Sequence, residues 1–158
     1  MLTLKDYVMN FPLKTIEPVV PNEYPEVTDV WEASVRATHH FLTESDILYF
    51  KPLILNDYLK AVELSCIKDD KGRILGFMGV HGDSLEMLFI HPDARGQGIG
   101  KQLLLHSIHH LNVQKVDVNE QNPQALGFYE HMGFVVVSRS ERDGLGKPYP
   151  LLHMQLPA

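Results

Sequence analysis

Apolar and polar positions change their period along the chain, and each change marks a new element. From Tyr24 to Thr38, Val27, Val30, Trp31 and Val35 recur at helical spacing and predict an amphipathic first helix. A second helix follows, started by Thr43 with Asp46 three residues on, an acidic variant of the capping box. Ile47, Phe50 and Ile54 give it an apolar side, and Pro52 predicts a kink. The period then falls to two. Val62, Leu64 and Cys66 alternate with Glu63 and Ser65, and the turn-rich Asp69-Asp70-Lys71-Gly72 leads into Ile74 to Val80, so two antiparallel strands are predicted. A turn at His81-Gly82-Asp83-Ser84 feeds a third strand from Leu85 to His91.

After Pro92 and a glycine-rich turn, Leu104, Leu105, Ile108 and Leu111 form a helical stripe. Lys115 to Asn119 reads as a strand reached through that helix, a crossover that implies a parallel pair. A further short helix is bounded by Asn122 as cap, Pro123 at its first position and Gly133 past its end. Phe134 to Ser138 and Leu151 to Leu156 supply the last strands, and a short strand is read near Lys14 to Val19, with Pro12, Pro18, Pro21 and Pro25 keeping the start irregular.

A chain of 158 residues without repeat or linker is one domain, with 1–60 as a helical part and 61–158 as a core. Its 44% hydrophobic and 22% charged residues suit a buried core. The net charge of −6 argues against a broad nucleic-acid face. A single Cys66 cannot form an internal disulfide, the first residues lack the pattern of a signal peptide, and no apolar run is long enough to span a membrane, so a cytoplasmic protein is expected.

The strongest chemical signal is Arg95-Gly96-Gln97-Gly98-Ile99-Gly100-Lys101, between a strand and a helix. Its glycines let backbone approach an anion, and the first amides of the helix point outward beside the positive end of the dipole. A diphosphate fits that site. The turn is not a Walker loop, which needs Gly at 95 and a hydroxyl at 102, where Arg95 and Gln102 stand. Nor is it the dinucleotide fingerprint, which needs Gly where Lys101 stands.

The segment 85–101, with Arg95, Gly98 and Gly100 in its core, resembles motif A of the GNAT superfamily of N-acetyltransferases. Downstream, Asn119-Glu120-Gln121-Asn122-Pro123 and the run from Ala125 through Phe128 and Tyr129 to Gly133-Phe134 resemble motif B, in the same order and spacing. More narrowly, residues 37–42, the Asn-Glu-Gln-Asn run and residues 146–152 are similar to a bacterial branch of acetyltransferases, which says little about substrate.

The resemblance implies a GNAT-like fold: an α/β (α+β) arrangement with a mixed, mostly antiparallel sheet of about six to seven strands, about four helices and a splayed parallel strand pair. It implies acetyl-CoA as cosubstrate, with no metal. Its pyrophosphate would lie on the amides from Arg95 to Lys101, including Gly96, Gln97, Gly98, Ile99 and Gly100. Its pantetheine arm would pair with main chain near Leu88, Phe89 and Ile90, and a main-chain N–H of this strand would face the thioester carbonyl. Asn119, Asn122, Ala125 and Phe128 are further expected contacts, with Asn122 equally readable as a helix cap.

A lysine-like amine is almost wholly protonated at pH 7, and freeing its lone pair costs about 4 to 5 kcal/mol. Glu86 is the leading candidate to take that proton, because alternation would put Glu86, Leu88 and Ile90 on one strand face. A solvated strand carboxylate is the plain alternative, and His39, His81 and His91 are other bases. The resemblance makes Tyr129 the group that protonates the departing thiolate; an aromatic packing residue is the other reading.

His39, Phe41 and Tyr149 are expected on the acceptor side, with selectivity in 36–50 and 141–150. Glu44, Asp46, Glu141 and Asp143 would favour a cationic acceptor if they face the cleft. His106 and His110 have metal-pair spacing but no further ligand pattern, and Met78, Met87, Met132 and Cys66 read as core. The implied reaction moves an acetyl group to the primary amine of a small molecule or peptide, with no nucleic-acid or membrane partner and with monomer and homodimer both open. A non-catalytic acetyl-CoA sensor remains the alternative, and a toxin acting on aminoacyl-tRNA has little support from the charge.

Overall fold

The computed structural model describes residues 13–158. Pro12 lies outside the described residues. Strands β1 (Glu17–Pro18), β2 (Glu63–Lys68), β3 (Ile74–His81), β4 (Ser84–Ile90), β5 (Lys115–Asn119), β6 (Val135–Ser140) and β7 (Leu151–Gln155) form one sheet in the order β1-β2-β3-β4-β5-β7-β6. All neighbours are antiparallel except β4 and β5, the predicted parallel pair.

Helices α1 (Tyr24–Thr38) and α2 (Glu44–Leu53) cover one face, and α3 (Ile99–His110) and α4 (Pro123–His131) the other. Val27, Val30, Trp31 and Val35 of α1 pack with Ile47, Cys66, Phe77 and Met87. Leu103, Leu104 and Leu105 of α3 pack with Ile67, Met78, Val116, Met132 and Met154. Cys66 and Ile67, like Phe77 and Met78, thus fall in opposite cores, as a period of two requires. Burial pushes the Cys66 thiol up to about 11, so it stays an inert thiol.

Local signals set the helix ends. Thr43 Oγ1 accepts from the Asp46 N–H at 3.0 Å, and Asp46 Oδ2 accepts from the Thr43 N–H at 3.0 Å. Asn122 Oδ1 accepts from the Ala125 N–H at 3.2 Å, which makes the cap reading of Asn122 correct. Pro52 lies inside α2, which gives way just beyond it to a widened turn over Ile54–Tyr58. The N-terminal strand is shorter than predicted, two residues paired on one side, with the Lys14 N–H donating to Gln102 Oε1 of α3 at 3.0 Å and not to a neighbouring strand.

Two departures from regularity shape the site. The β4 and β5 ladder consists of Ser84 with Lys115 and Leu85 with Val116, after which the strands diverge. In the β3–β4 ladder, Gly79 faces Met87 while Val80 faces Leu85, so Glu86 is the extra residue of a bulge. Leu85 therefore joins the core under α3 and Met87 the core under α1, although two residues apart in a regular strand would share a face. The expectation that simple alternation aligns Glu86 with Leu88 and Ile90 fails for this reason.

Candidate active site

The divergence of β4 from β5 opens the sheet, and two cavities meet there. The first, about 390 Å³, runs between the start of α3 and the start of α4. Leu88, Phe89 and Ile90 form one wall, Arg95, Gly96, Gly98, Ile99, Gly100 and Lys101 the end, and Asn122, Ala125, Phe128 and Tyr129 the other wall. Gly96 and Gly98 have φ of +76° and +75°, a left-handed backbone that costs other residues about 1–2 kcal/mol. Gly98 precedes α3 and gives no side-chain cap, so the first amides of the helix are presented to the cavity with the dipole behind them. Anionic phosphates and an extended amide-bearing arm suit this lining. Gln97 is directed elsewhere, to a third cavity shared with His91.

The second cavity, about 530 Å³, lies toward α1, α2 and residues 143–151. Trp31, Leu42, Phe50 and Tyr58 give it apolar walls, while Glu86, Asp117 and Asp143 bring carboxylates. Asn119 opens on this cavity and not on the first. Six residues line both cavities, among them His39, Asn122 and Tyr129.

Tyr129 is buried, its ring edge-on to Phe128 and Phe134 at 5.1 and 5.7 Å. Its hydroxyl has no hydrogen-bond partner among the described residues. Burial raises its pKa well above the phenol range, so it stays protonated and has an O–H to donate. His39 stacks near Phe41 at 5.4 Å and Phe89 at 6.2 Å, and its Nδ1 lies 2.7 Å from Thr38 Oγ1. Burial, then the charges of Arg95 and His40, pull its pKa down to about 4. A neutral ring results. Phe41 lines neither cavity; it sits between His39 and Tyr149, whose ring is 5.5 Å away.

The acidic side chains expected to meet the acceptor are largely engaged. Glu44 binds Arg36 through both oxygens, at 2.6 and 2.8 Å. Asp46 accepts from the Tyr149 hydroxyl, and its other oxygen holds Lys147 Nζ at 3.2 Å. Burial pushes the Asp46 pKa up, but the bonds from Tyr149, Thr43 and Lys147 outweigh it and leave the carboxyl at about 2. The same bond, with burial, drives Tyr149 up to about 12. Lys147 Nζ also lies 4.6 Å from the centre of the Tyr49 ring, so the 141–150 connection is strapped onto the start of α2. Glu141 is exposed and lines neither cavity; of the four only Asp143 lines the second cavity, with its Oδ1 accepting from the Leu145 and Lys147 N–H groups.

His81 lies exposed at the end of β3, and His91 accepts from the Asp93 N–H at 3.1 Å in the third cavity, so neither reaches the junction. Ser34, Thr38 and Gln124 line the first cavity without having been singled out in the sequence. Ser34 alone carried a signal, as a polar residue on the apolar stripe of α1.

A family described as "Acetyltransferase (GNAT) domain" matches residues 50–156. A peptidyl-lysine N-acetyltransferase, YjaB, of Salmonella typhimurium is 45% identical over 128 residues, 81% of this chain and 88% of that protein. The Escherichia coli K12 protein of that name is 40% identical over 84% of this chain and 89% of its own length. The solution structure of apo YjaB from E. coli superposes with a TM-score of 0.81 at 37% identity, covering 90% of this chain and 97% of that one. A PaiA N-acetyltransferase of Thermoplasma acidophilum in complex with coenzyme A shares the fold at 19% identity, with a TM-score of 0.67 over 90% and 99% of the two chains. This chain belongs to the GNAT acetyltransferases, enzymes that carry an acetyl group from acetyl-CoA to an amine.

Proposed function

We propose that the acceptor is the side-chain amine of a lysine in a protein or peptide. The observation that carries this reading is the junction itself: two cavities of different character share Tyr129 and His39, so a thioester entering from one side can meet an amine from the other. Apolar walls from Trp31, Leu42 and Phe50 suit the methylene stem of a lysine, and carboxylates suit its ammonium end. The curated relatives named peptidyl-lysine N-acetyltransferases support the same class.

Acetyl-CoA would be held by the turn from Arg95 to Lys101, with its arm along β4, where β5 offers no ladder partner beyond Leu85. Unpaired main-chain groups there can take the pantetheine amides and face the thioester oxygen. Tyr129 would donate to the departing sulfur, a role that suits a phenol held protonated. Glu86, exposed at the bulge and lining the second cavity, would draw the ammonium in. The test is thiol release from acetyl-CoA with a lysine-bearing peptide, the same peptide with only its α-amine free, and spermidine. Mass spectrometry should place the acetyl group on the lysine side chain; transfer confined to α-amines or polyamines would overturn the reading.

A further inference from the structure

Three side chains on the open face of the β5–β7–β6 ribbon form a connected chain that the roles above leave unused. Val116 and Val118 are buried under α3 and α4, so alternation turns Asp117 to the opposite face, where it lines the acceptor cavity. Register sets Asp117 beside His153 of β7. Asp117 Oδ1 lies 2.6 Å from His153 Nδ1, and His153 Nε2 lies 2.6 Å from Ser140 Oγ. A carboxylate accepts, so the Nδ1–H of His153 donates to Asp117 Oδ1, and Nε2 pairs with the Ser140 hydroxyl. The imidazole is fixed at both nitrogens, and it fixes the carboxylate.

We propose that Asp117 is the base that takes the proton from the acceptor ammonium, held in place by His153 and Ser140. The second oxygen of Asp117 is the one available to the amine, because Oδ1 is occupied by His153. In the step, an N–H bond of the ammonium breaks and an O–H bond forms on Oδ2. The freed lone pair attacks the thioester carbonyl, and the C–S bond breaks as the amide C–N bond forms. The second proton on nitrogen goes to the sulfur by way of the Tyr129 hydroxyl, and Asp117 then returns its proton to water. Its side chain is 55% exposed, so that exit is open.

The other candidates lack this combination. Glu86 sits on the bulge, exposed, with no hydrogen bond or ion pair among the described residues to hold it in one position. A base contributes most when positioned. His39 would become a half-buried cation near Arg95 with no carboxylate to balance it. The charged groups sharing the face with Asp117 are Glu86 from β4, Asp143 from the connection before β7, and Lys115 on β5, whose Nζ lies 3.6 Å from Asp83 Oδ2.

This inference rests on amine acetylation and, for its probe, on the lysine reading. The experiment compares a lysine-bearing peptide with its aminooxy counterpart, which is unprotonated at pH 7. Asp117→Asn should lower kcat/KM about 100-fold for the lysine peptide and less than about 5-fold for the aminooxy peptide, with acetyl-CoA affinity unchanged. His153→Phe should lower kcat about 10-fold in the same acceptor-dependent way, and His153→Asn, whose amide can still donate to Oδ1, should restore most of it. Equal losses on both acceptors, no loss, or an acceptor-dependent loss in Glu86→Gln instead would overturn the proposal. If Asp117→Asn does not fold, the His153 pair decides. Wild-type protein inactive on both peptides would end the lysine reading alone, and ethylamine against methoxyamine would then carry the same comparison.

Discussion

The donor and acceptor cavities touch the same tyrosine, yet they are built differently. Most of the donor wall comes from one continuous stretch, Leu88 to Tyr129, and its end at Arg95–Lys101 is backbone held in shape by glycines of positive φ. The acceptor wall gathers side chains from Trp31 to Leu151 and is closed by a connection strapped to α2. On the proposed reading a ligand there meets the positions of amides, so a local backbone shape should tolerate little change. A wall of assembled side chains can be altered one residue at a time, which suits a part that sets acceptor choice.

The largest effect should follow from the donor turn. Val at position 98 must adopt a φ near +75°, which a β-branched residue resists, so Gly98→Val should lose at least roughly 100-fold in acetyl-CoA affinity while staying folded. Calorimetry checks this. Gly98→Asn, which tolerates the left-handed region, should keep most of the affinity; an equal loss would mean that space at the turn and not its φ is decisive.

At the junction, Tyr129→Phe should leave acetyl-CoA affinity within about twofold and slow turnover by about 100-fold, the scale of one acid-base group. Its hydroxyl makes no hydrogen bond among the described residues, so its removal should cost the fold little. Unchanged turnover would make Tyr129 a packing residue, and denaturant melts of the two proteins would show whether packing alone was touched.

The two regions also differed in how far the chain announces them. The Arg95–Lys101 turn, the cap at Asn122 and the capping box at Thr43 and Asp46 involve residues within a few positions of each other, so local chemistry reveals them. The bulge at Glu86 does not. It depends on how β3 meets β4, where Gly79 lies so close to Val62 that an added Cβ would be 2.7 Å from Val62 Cγ2. Asp46 was read as a carboxylate for the acceptor, and its partners Lys147 and Tyr149 lie 101 and 103 residues away, beyond any local pattern. The Asp117–His153–Ser140 chain escaped for the same reason: three strands in the order β5-β7-β6 must pair before those side chains meet.

His39 offers a smaller, pH-dependent difference. Its folded pKa of about 4 lies below the ordinary 6.5, so the unfolded chain binds a proton first as the pH falls. Stability from the neutral, packed ring is therefore complete above pH 6.5 and is lost between 6.5 and about 4, on the order of 2 kcal/mol after allowance for partial exposure. In His39→Gln that part of the pH slope should vanish from urea titrations. A slope identical to wild type would mean that His39 is not held neutral by its surroundings.

The smallest effect concerns the strap. Asp46 titrates near 2 in the folded protein against an ordinary 3.8, so its hold on Lys147 and Tyr149 is complete above about pH 4 and fails as the pH falls toward 2. Asp46→Ala should mimic that release at neutral pH: Tyr149 and Lys147 lose their shared acceptor, and the acceptor wall loosens while the turn at Arg95–Lys101 is untouched. The acceptor KM should rise about three- to tenfold with acetyl-CoA affinity constant, and Tyr149→Ala should do the same. Hydrogen exchange should show faster amides over 143–149, where the Leu145 and Lys147 N–H groups now close a turn on Asp143 Oδ1 at 3.0 and 2.9 Å. An unchanged acceptor KM with faster exchange would show that the strap moves without touching the acceptor. A parallel loss of acetyl-CoA affinity would show that the two cavities are mechanically one, because His39 lines both and packs on Phe41, whose ring also meets Tyr149.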